Sequence, residues 1–366
     1  MKKLFLLAAA ALTVFAACTK NEVVPTPDQK ITFSSPVVGA TTKAVTGVIG
    51  TDYDASESFS VYAYYCTDDE FDADNCSLYM NSVTASYNAS INDATTGTGA
   101  WEPKYTYYWP KNGKLTFSAF SPSEIKNIVT CDAATGLEIE GFTVSTNVNE
   151  QIDLLYSNRA YNKSTSEVGD NSTYDGVDIV FNHALSAIKI NVSNDKQYTN
   201  QAGTTVYPIT IDKIWFENVN CTANFAENLE EGYVATPDKA AWSDWSNTKN
   251  ITIPVEEKVV PTTSVTQYGT TALLIPQAFT NDGNEIILHV NYTITNGDGT
   301  TIAQTAEFKL DTNNYTGSVN GGAATTIDQW TKGYQYTYNL VFGLKTIYFA
   351  PSVNVWGTVD MGTMNI

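Results

Sequence analysis

Apolar and polar residues alternate in short runs along nearly the whole chain. Two of the clearest are Phe59-Ser60-Val61-Tyr62-Ala63-Tyr64-Tyr65 and Lys114-Leu115-Thr116-Phe117-Ser118-Ala119-Phe120, and residues 286–295 with 301–310 form another pair. A period of two sends successive side chains to opposite faces, so each run predicts a strand. Asn296-Gly297-Asp298-Gly299 predicts a hairpin turn between the last two. Pro110-Lys111-Asn112-Gly113 predicts another turn ahead of Lys114. Further strands are predicted at 31–35, 79–87, 105–109, 141–144, 153–156, 177–181, 185–192, 209–216, 251–255, 271–275, 335–342, 346–349 and 353–356. No run of ten residues keeps a 3.6-residue period, so helix is expected only as single turns near 227–231 or 238–242. Many short strands between turn residues predict an all-β protein of sandwich or barrel type. At 366 residues, two sandwiches in tandem fit better than one. The polar stretch 157–174 is a natural junction, giving an N-terminal unit 44–174 and a C-terminal unit 175–366.

The first residues follow a different pattern. Met1-Lys2-Lys3 is basic, and the fourteen residues from Leu4 to Ala17 are apolar but too few to span a bilayer. They end in Phe15-Ala16-Ala17-Cys18, small residues before a cysteine, which resembles the bacterial lipobox. Residues 1–17 are therefore expected to be a lipoprotein signal peptide, with Cys18 carrying the lipid. Residues 19–30, polar with two prolines, read as a tether. An exported, lipid-anchored protein is the expectation.

Composition narrows the partners. Charged residues make up 16% of the chain, below the usual ~25%, and tyrosine (22 residues) with small polar residues fills the difference. Net charge is -19; loss of Lys2 and Lys3 takes it to -21, and Arg159 is the single arginine. Such a surface repels phosphate backbones, which excludes nucleic acid as a partner. Anionic membrane surfaces are equally poor partners, so membrane attachment falls to the lipid on Cys18.

Few residues offer chemistry. The two histidines, His183 and His289, both sit in or beside strands, and no Gly-x-Ser-x-Gly elbow is present. No enzyme, cofactor or metal site is expected. The acidic run Asp68–Asn75 lacks the glycine and distal glutamate of a calcium loop and reads as a solvated loop tip. Cys66 and Cys76 flank that loop and could close it, whereas no pairing of Cys131 or Cys221 can be read. Trp242 and Trp245 lie close together in a polar segment, and Trp101 and Trp109 flank another. Exposed, such indoles could stack on sugar rings as a glycan platform; buried, they belong to cores. Finally, Lys43-Ala44 lies in a small, polar segment, and no Lys or Arg follows until Lys104. A trypsin-like protease would find one site there, and the strand at 31–35 would lie on the removed piece.

An ordered set of motifs runs nearly end to end. After Cys18 come Ile31-Thr32-Phe33 and Thr42-Lys43-Ala44, then Tyr108-Trp109-Pro110, Leu115-Thr116-Phe117 and Asp153-Leu154-Leu155. Phe181-Asn182-His183-Ala184-Leu185-Ser186 marks the middle, and Leu273-Leu274-Ile275-Pro276-Gln277 follows. Trp330, Gly333, Tyr336 and Tyr338 precede Ile347-x-Phe349-x-Pro351-x-Val353-x-x-Trp356. In this set the chain resembles the fimbrillins of Bacteroidia, the subunits of type V pili. The resemblance implies two transthyretin-like Greek-key β-sandwich domains in tandem. It also implies assembly by strand exchange with other pilus subunits, and adhesion to a host or bacterial surface glycan or protein. Carried over by residue, Cys18 is the lipid site, and Lys43-Ala44 is the cleavage site, with lysine where arginine is commoner. Residues 18–43 are then the tether and removable propeptide. Ile31 and Phe33 belong to the removed strand, while Val353, Val355, Val359 and Met361 alternate as the candidate donor strand. Pro351 suits an edge or bend in that strand. The alternative is a monomeric outer-membrane lipoprotein that binds glycans through its aromatic loops.

Overall fold

A computed structural model describes residues 30–39, 51–68, 70–91, 99–164, 176–199, 202–203, 207–229, 239–281, 284–310, 316–318, 324–344 and 347–355. The strands of the first half are β1 (Val37–Val38), β2 (Thr51–Asp52), β3 (Ser58–Cys66), β4 (Cys76–Asn88), β5 (Ala100–Pro103), β6 (Lys114–Ser121), β7 (Val129–Asp132), β8 (Gly136–Thr143), β9 (Leu155–Ser157), β10 (Ala160–Lys163) and β11 (Val180–His183). Those of the second half are β12 (Ser186–Asn194), β13 (Ile209–Ala226), β14 (Ala241–Thr252), β15 (Thr266–Leu274), β16 (Thr280–Asn281), β17 (Asn284–Glu285), β18 (Ile287–Thr295), β19 (Thr301–Lys309), β20 (Thr316–Ser318), β21 (Ala324–Thr326), β22 (Tyr334–Phe342) and β23 (Ile347–Val355).

The protein is all-β. One sheet runs β2-β1-β11-β9-β6-β3-β4-β5, with β10 added on β6. A second runs β19-β18-β13-β8-β7, with β14 on β13, and a third runs β15-β12-β22-β23. The expected turn at 238–242 falls partly on strand, since β14 begins at Ala241. Helix is present instead as short 3-10 turns at Ser123–Ile128 and Val148–Glu150. None of the described helices is long and apolar enough to cross a membrane.

Sheet pairing crosses residue 174 in both directions. β11 lies beyond it but pairs with β1 and β9 of the first sheet. β8 lies before it but pairs with β13 of the second. The polar stretch 157–174 therefore does not divide the hydrogen-bonded sheets.

Strand β3 shows how one run serves two cores. Phe59, Val61 and Ala63 pack with Phe33, Phe117 and Phe181 in one cluster. The alternate residues Tyr62, Tyr64 and Cys66 pack in a larger cluster with Val129, Leu137 and Ile139. Both faces of β3 are covered, so both sets of alternate positions from Phe59 to Tyr64 are buried, Ser60 being the polar one among them. The larger cluster continues through Ile188 and Ile190 of β12, Ile211 and Phe216 of β13, Leu288 of β18 and Leu340 of β22.

The β7–β8 hairpin forms the seam between the first and second sheets. β7 is an edge strand, and side chains from the first sheet satisfy its outward carbonyls. Tyr62 donates its hydroxyl to Val129 O at 3.0 Å, and Tyr64 to Cys131 O at 2.6 Å. Burial pushes both phenols above their ordinary range, so they stay protonated and keep donating. Arg159 donates to the carbonyls of Asp132 (3.0 Å) and Ala133 and to Ser118 Oγ (3.1 Å). Its guanidinium lies 5.2 Å over the Phe71 ring.

Cys66 and Cys76 pair in register across β3 and β4 and form a disulfide that closes the acidic loop. Phe71, 1% exposed, anchors that loop to the larger core. Asp72 accepts from Asp74 N and Asn75 Nδ2, so its carboxylate is spent on the turn. Reducing the disulfide is expected to cost about 2–3 kcal/mol, as for closure of a short loop. Thermal melting with and without a reductant measures that loss; an unchanged midpoint would mean that Phe71 and the hairpin register hold the loop alone.

Candidate functional site

The segment 30–39 occupies a slot between two strand edges. On one side it runs antiparallel to residues 101–108: Ile31 N donates to Tyr107 O (2.9 Å), Phe33 N to Trp101 O (2.8 Å), and Trp101 N back to Phe33 O (3.0 Å). On the other it runs parallel to 177–181. Val177 N donates to Thr32 O (2.9 Å), Ser34 N to Val177 O (3.2 Å), Val37 N to Ile179 O (3.1 Å) and Gly39 N to Phe181 O (2.9 Å). The segment thus joins the β5 edge of the first sheet to the stretch leading into β11. The sequence pattern predicts a strand over 31–35; the regular pairs are instead at Val37–Val38, and Phe33 makes isolated bridges to Trp101 and Val177.

Its side chains alternate, with one change of phase between Phe33 and Pro36. Ile31, Phe33 and Val38 point inward, 1%, 0% and 8% exposed, while Lys30, Ser35 and Val37 face solvent. Phe33 meets Phe59 and Phe117 edge-on, with ring centroids at 5.5 and 5.9 Å. Full burial of such a side chain contributes about 1.5–3 kcal/mol. Gly176 makes the close approach possible. Its φ is +82°, and an added Cβ would stand 2.6 Å from Phe33 C and Ser34 N. Gly176→Ala is therefore expected to cost about 1–3 kcal/mol in backbone strain and to loosen the segment. Amide exchange at Phe33 and Ser34, read beside the melting temperature, checks this; unchanged protection would contradict it.

The other candidate residues are distributed as follows. Cys18, Lys43, Ala44, Val359 and Met361 lie outside the described residues. Val353 and Val355 lie on β23, the edge strand of the third sheet, opposite Tyr336 and Tyr334 of β22. Pro351 has no N–H to donate, which an edge strand tolerates. Trp101 and Trp109 are buried in the first core. Trp242 is also buried, against Phe142 and Phe225, with its Nε1 donating to Ala184 O at 2.7 Å. Trp245 is 41% exposed. The expected pair of sugar-facing indoles is therefore reduced to one. The left-handed Asp244 (φ 54°) lies between the two tryptophans, where the pairing with β13 slips register.

The titratable groups are held in structural contacts. His183 Nδ1 lies 2.8 Å from Asp153 Oδ2. His289 Nε2 lies 2.6 Å from Glu217 Oε2, with its ring stacked on Trp215 at 4.6 Å. Burial raises the Cys131 thiol to about 12 and the Cys221 thiol to about 11, so neither is a reactive thiolate at neutral pH.

Residues 42–356 match the fimbrillin-like family. The chain belongs to that family. Solved structures resemble this fimbrillin-like chain at low identity. A fimbrial protein of Bacteroides vulgatus is 15% identical, with a TM-score of 0.55, over 90% of this chain and 99% of its own. The tip fimbrial protein Mfa3 of Porphyromonas gingivalis, with a C-terminal truncation, is 12% identical, with a TM-score of 0.40, over 89% and 100%. No curated protein matches the chain by sequence. The family is one of structural subunits rather than of enzymes.

Proposed function

We propose that this fimbrillin-like chain is a structural and adhesive subunit of a type V fimbria, exported as a lipoprotein, activated by proteolysis and polymerised by strand exchange. The observation that carries this reading is the slot filled by residues 30–39. One short N-terminal segment completes the first sheet, buries Ile31 and Phe33, and bonds through its main chain on both sides. Removing it would expose two facing strand edges and an apolar trench. An open edge of this kind is a template for another strand. A donor supplies main-chain hydrogen bonds, and its alternate side chains fill the vacated pockets.

In this reading Cys18 carries the lipid to the outer membrane. Cleavage between Lys43 and Ala44 frees the chain from the lipid and from its own first strand. The donor is the C-terminal run of another subunit, with Val353, Val355, Val359 and Met361 as the inserted alternate positions. β23 must then leave β22, to which it is paired from Ile347 to Val355. Slot and donor then come from opposite ends of the chain. Cell-surface fimbriae are the expected location and other fimbrial subunits the expected partners.

Brief trypsin treatment of residues 19–366 tests this. A new N-terminus at Ala44, followed over hours by ladders on an unboiled gel, is the expected result, and Lys43→Gln should abolish both. A chain cut at Lys43 that stays monomeric would overturn the strand-exchange reading.

A further inference from the structure

Beside Trp245, whose surface is 41% exposed, Pro276, Gln277, Ala278, Gln329 and Trp330 contribute to a cleft of about 350 Å³. That size falls within the range of small-ligand clefts. Its walls are set by the fold. The Trp245 indole donates to Pro276 O (2.8 Å), and the Trp330 indole to the Tyr338 hydroxyl (2.9 Å). Trp330 also meets Phe216 and Phe279 edge-on, each at 5.6 Å between ring centroids. The Gln277 amide donates to the carbonyls of Asn220 and Ile275, both at 3.0 Å, and accepts from Asn220 N at 2.9 Å. Main-chain bonds flank the Ala278–Gln329 bridge on both sides: Phe279 N donates to Asp328 O and Trp330 N to Gln277 O, each at 2.9 Å. Little freedom is therefore left to be lost when a ligand enters.

The surface chemistry suits an uncharged ligand with one apolar face. With its N–H spent on Pro276, the ring that Trp245 shows to solvent presents carbon. Gln329 is exposed at the rim and brings an amide that can both donate and accept. Among the described residues, no carboxylate lines the cleft. Neighbouring Asp244 lies outside the lining and accepts from Asn224 Nδ2 (3.0 Å) and Ser243 Oγ (3.2 Å). Lys332 does line the cleft, but its ammonium lies 5.9 Å over the Tyr156 ring and is engaged there. An acidic ligand would therefore meet a chain of net charge -19 with no cation reserved for it. A neutral pyranose matches both surfaces: the C–H groups of one ring face stack on the indole, and its hydroxyls bond to the amide. An apolar peptide would use the indole alone and leave the amide unbonded.

We propose that this cleft binds a neutral glycan, with a hexopyranose ring stacked on Trp245 and its hydroxyls bonded to the Gln329 amide. The proposal does not depend on the strand-exchange reading, because neither residue belongs to the slot or to the donor run. The test titrates the full chain with cellotriose, maltotriose and galactotriose by calorimetry and tryptophan fluorescence, with trigalacturonate as the acidic counterpart of the last. At least one neutral sugar should bind and shift the indole emission, with an affinity that added salt leaves unchanged. Trp245→Ala should weaken that binding tenfold or more, and Trp245→Phe, which keeps a ring, should retain part of it. Gln329→Ala should weaken it severalfold. Trigalacturonate should bind no more tightly than galactotriose. Near-native circular dichroism and melting of the variants separate loss of the site from loss of the fold. Silence toward all three neutral sugars, binding that survives Trp245→Ala, or tighter binding of the acidic sugar would overturn the proposal.

Discussion

Replacing Phe33 by alanine in the full-length chain is expected to lower stability by about 3–5 kcal/mol, the usual cost of emptying a fully buried phenylalanine site. Phe33 is 0% exposed and fills the space between Phe59 and Phe117. The aromatic rings around it, including Trp101 and Phe181, are themselves buried and packed on other rings, so the cavity cannot collapse cheaply. The same change should speed amide exchange over residues 30–39 far more than over β3 or β6, because it strikes the segment that the proposed cleavage removes. Chemical denaturation and exchange together read the two effects. A loss below about 1 kcal/mol, well under the usual range, would mean that the slot is not held shut by Phe33.

This cost has a functional meaning in the proposed cycle. A firmly seated first strand keeps the edge covered until the protease acts. The same burial energy becomes available to a donor strand with apolar side chains at alternate positions. A weakly held strand would leave an exposed edge during export, the situation that sheet proteins generally avoid.

Arg159→Ala is the second large effect. The single arginine bonds to Ser118 Oγ and to the carbonyls of Asp132 and Ala133, and its plane covers Phe71. Its removal leaves two carbonyls at the seam without their charged donor and strips packing from the disulfide-closed loop. Charge-assisted bonds of this kind and the desolvation of orphaned acceptors together cost about 3 kcal/mol. For a chain of this size that corresponds to a fall in Tm of roughly 4–5 °C. Arg159→Lys should recover only part of it, since an ammonium cannot reproduce the planar fork. Calorimetry on the three chains measures this, and equal midpoints for wild type and Arg159→Ala would contradict the seam described above.

The all-β class was legible from period-two runs because most of these strands bury at least one face. β3, β6, β12 and β18 carry that signal plainly. The strands that sequence reading missed or shortened lack it for identifiable reasons. From Ser243 to Asn250, β14 is exposed at every position, so its polar sequence Ser-Asp-Trp-Ser-Asn-Thr-Lys-Asn shows no alternation. β13 runs on to Ala226, beyond the expected end at 216, and its later inward residues Val219, Cys221, Ala223 and Phe225 are separated by asparagine and threonine. The alternation is present there, but small side chains make it faint. Sheet membership was not legible at all. Pairing of 136–143 with 222–226 is a long-range contact that no local pattern encodes.

The candidate site divides in the same way. The inward side of Ile31-Thr32-Phe33 was readable because its apolar residues alternate, although regular strand forms only at Val37–Val38. Its partners, Trp101 and Val177 on opposite sides, were not, since they lie about 70 and 140 residues away. The paired tryptophans illustrate the limit of composition. Three residues apart on a regular strand, Trp242 and Trp245 would face opposite ways, and the register slip at Asp244 accompanies one buried and one exposed indole. Gln329 and Lys332, which complete the cleft beside Trp245, carried no signal in sequence because they approach from the far end of the chain.

The most direct test of the central claim measures binding to the vacated slot itself. Labelled peptides of residues 351–366 and 30–39 would be titrated into the intact chain and into the chain cleaved after Lys43. The account predicts that both bind the cleaved chain, that they compete for it, and that neither binds the intact one. Equal binding of the C-terminal peptide to both forms, or to neither while the 30–39 peptide rebinds the cleaved chain, would contradict strand exchange at this slot.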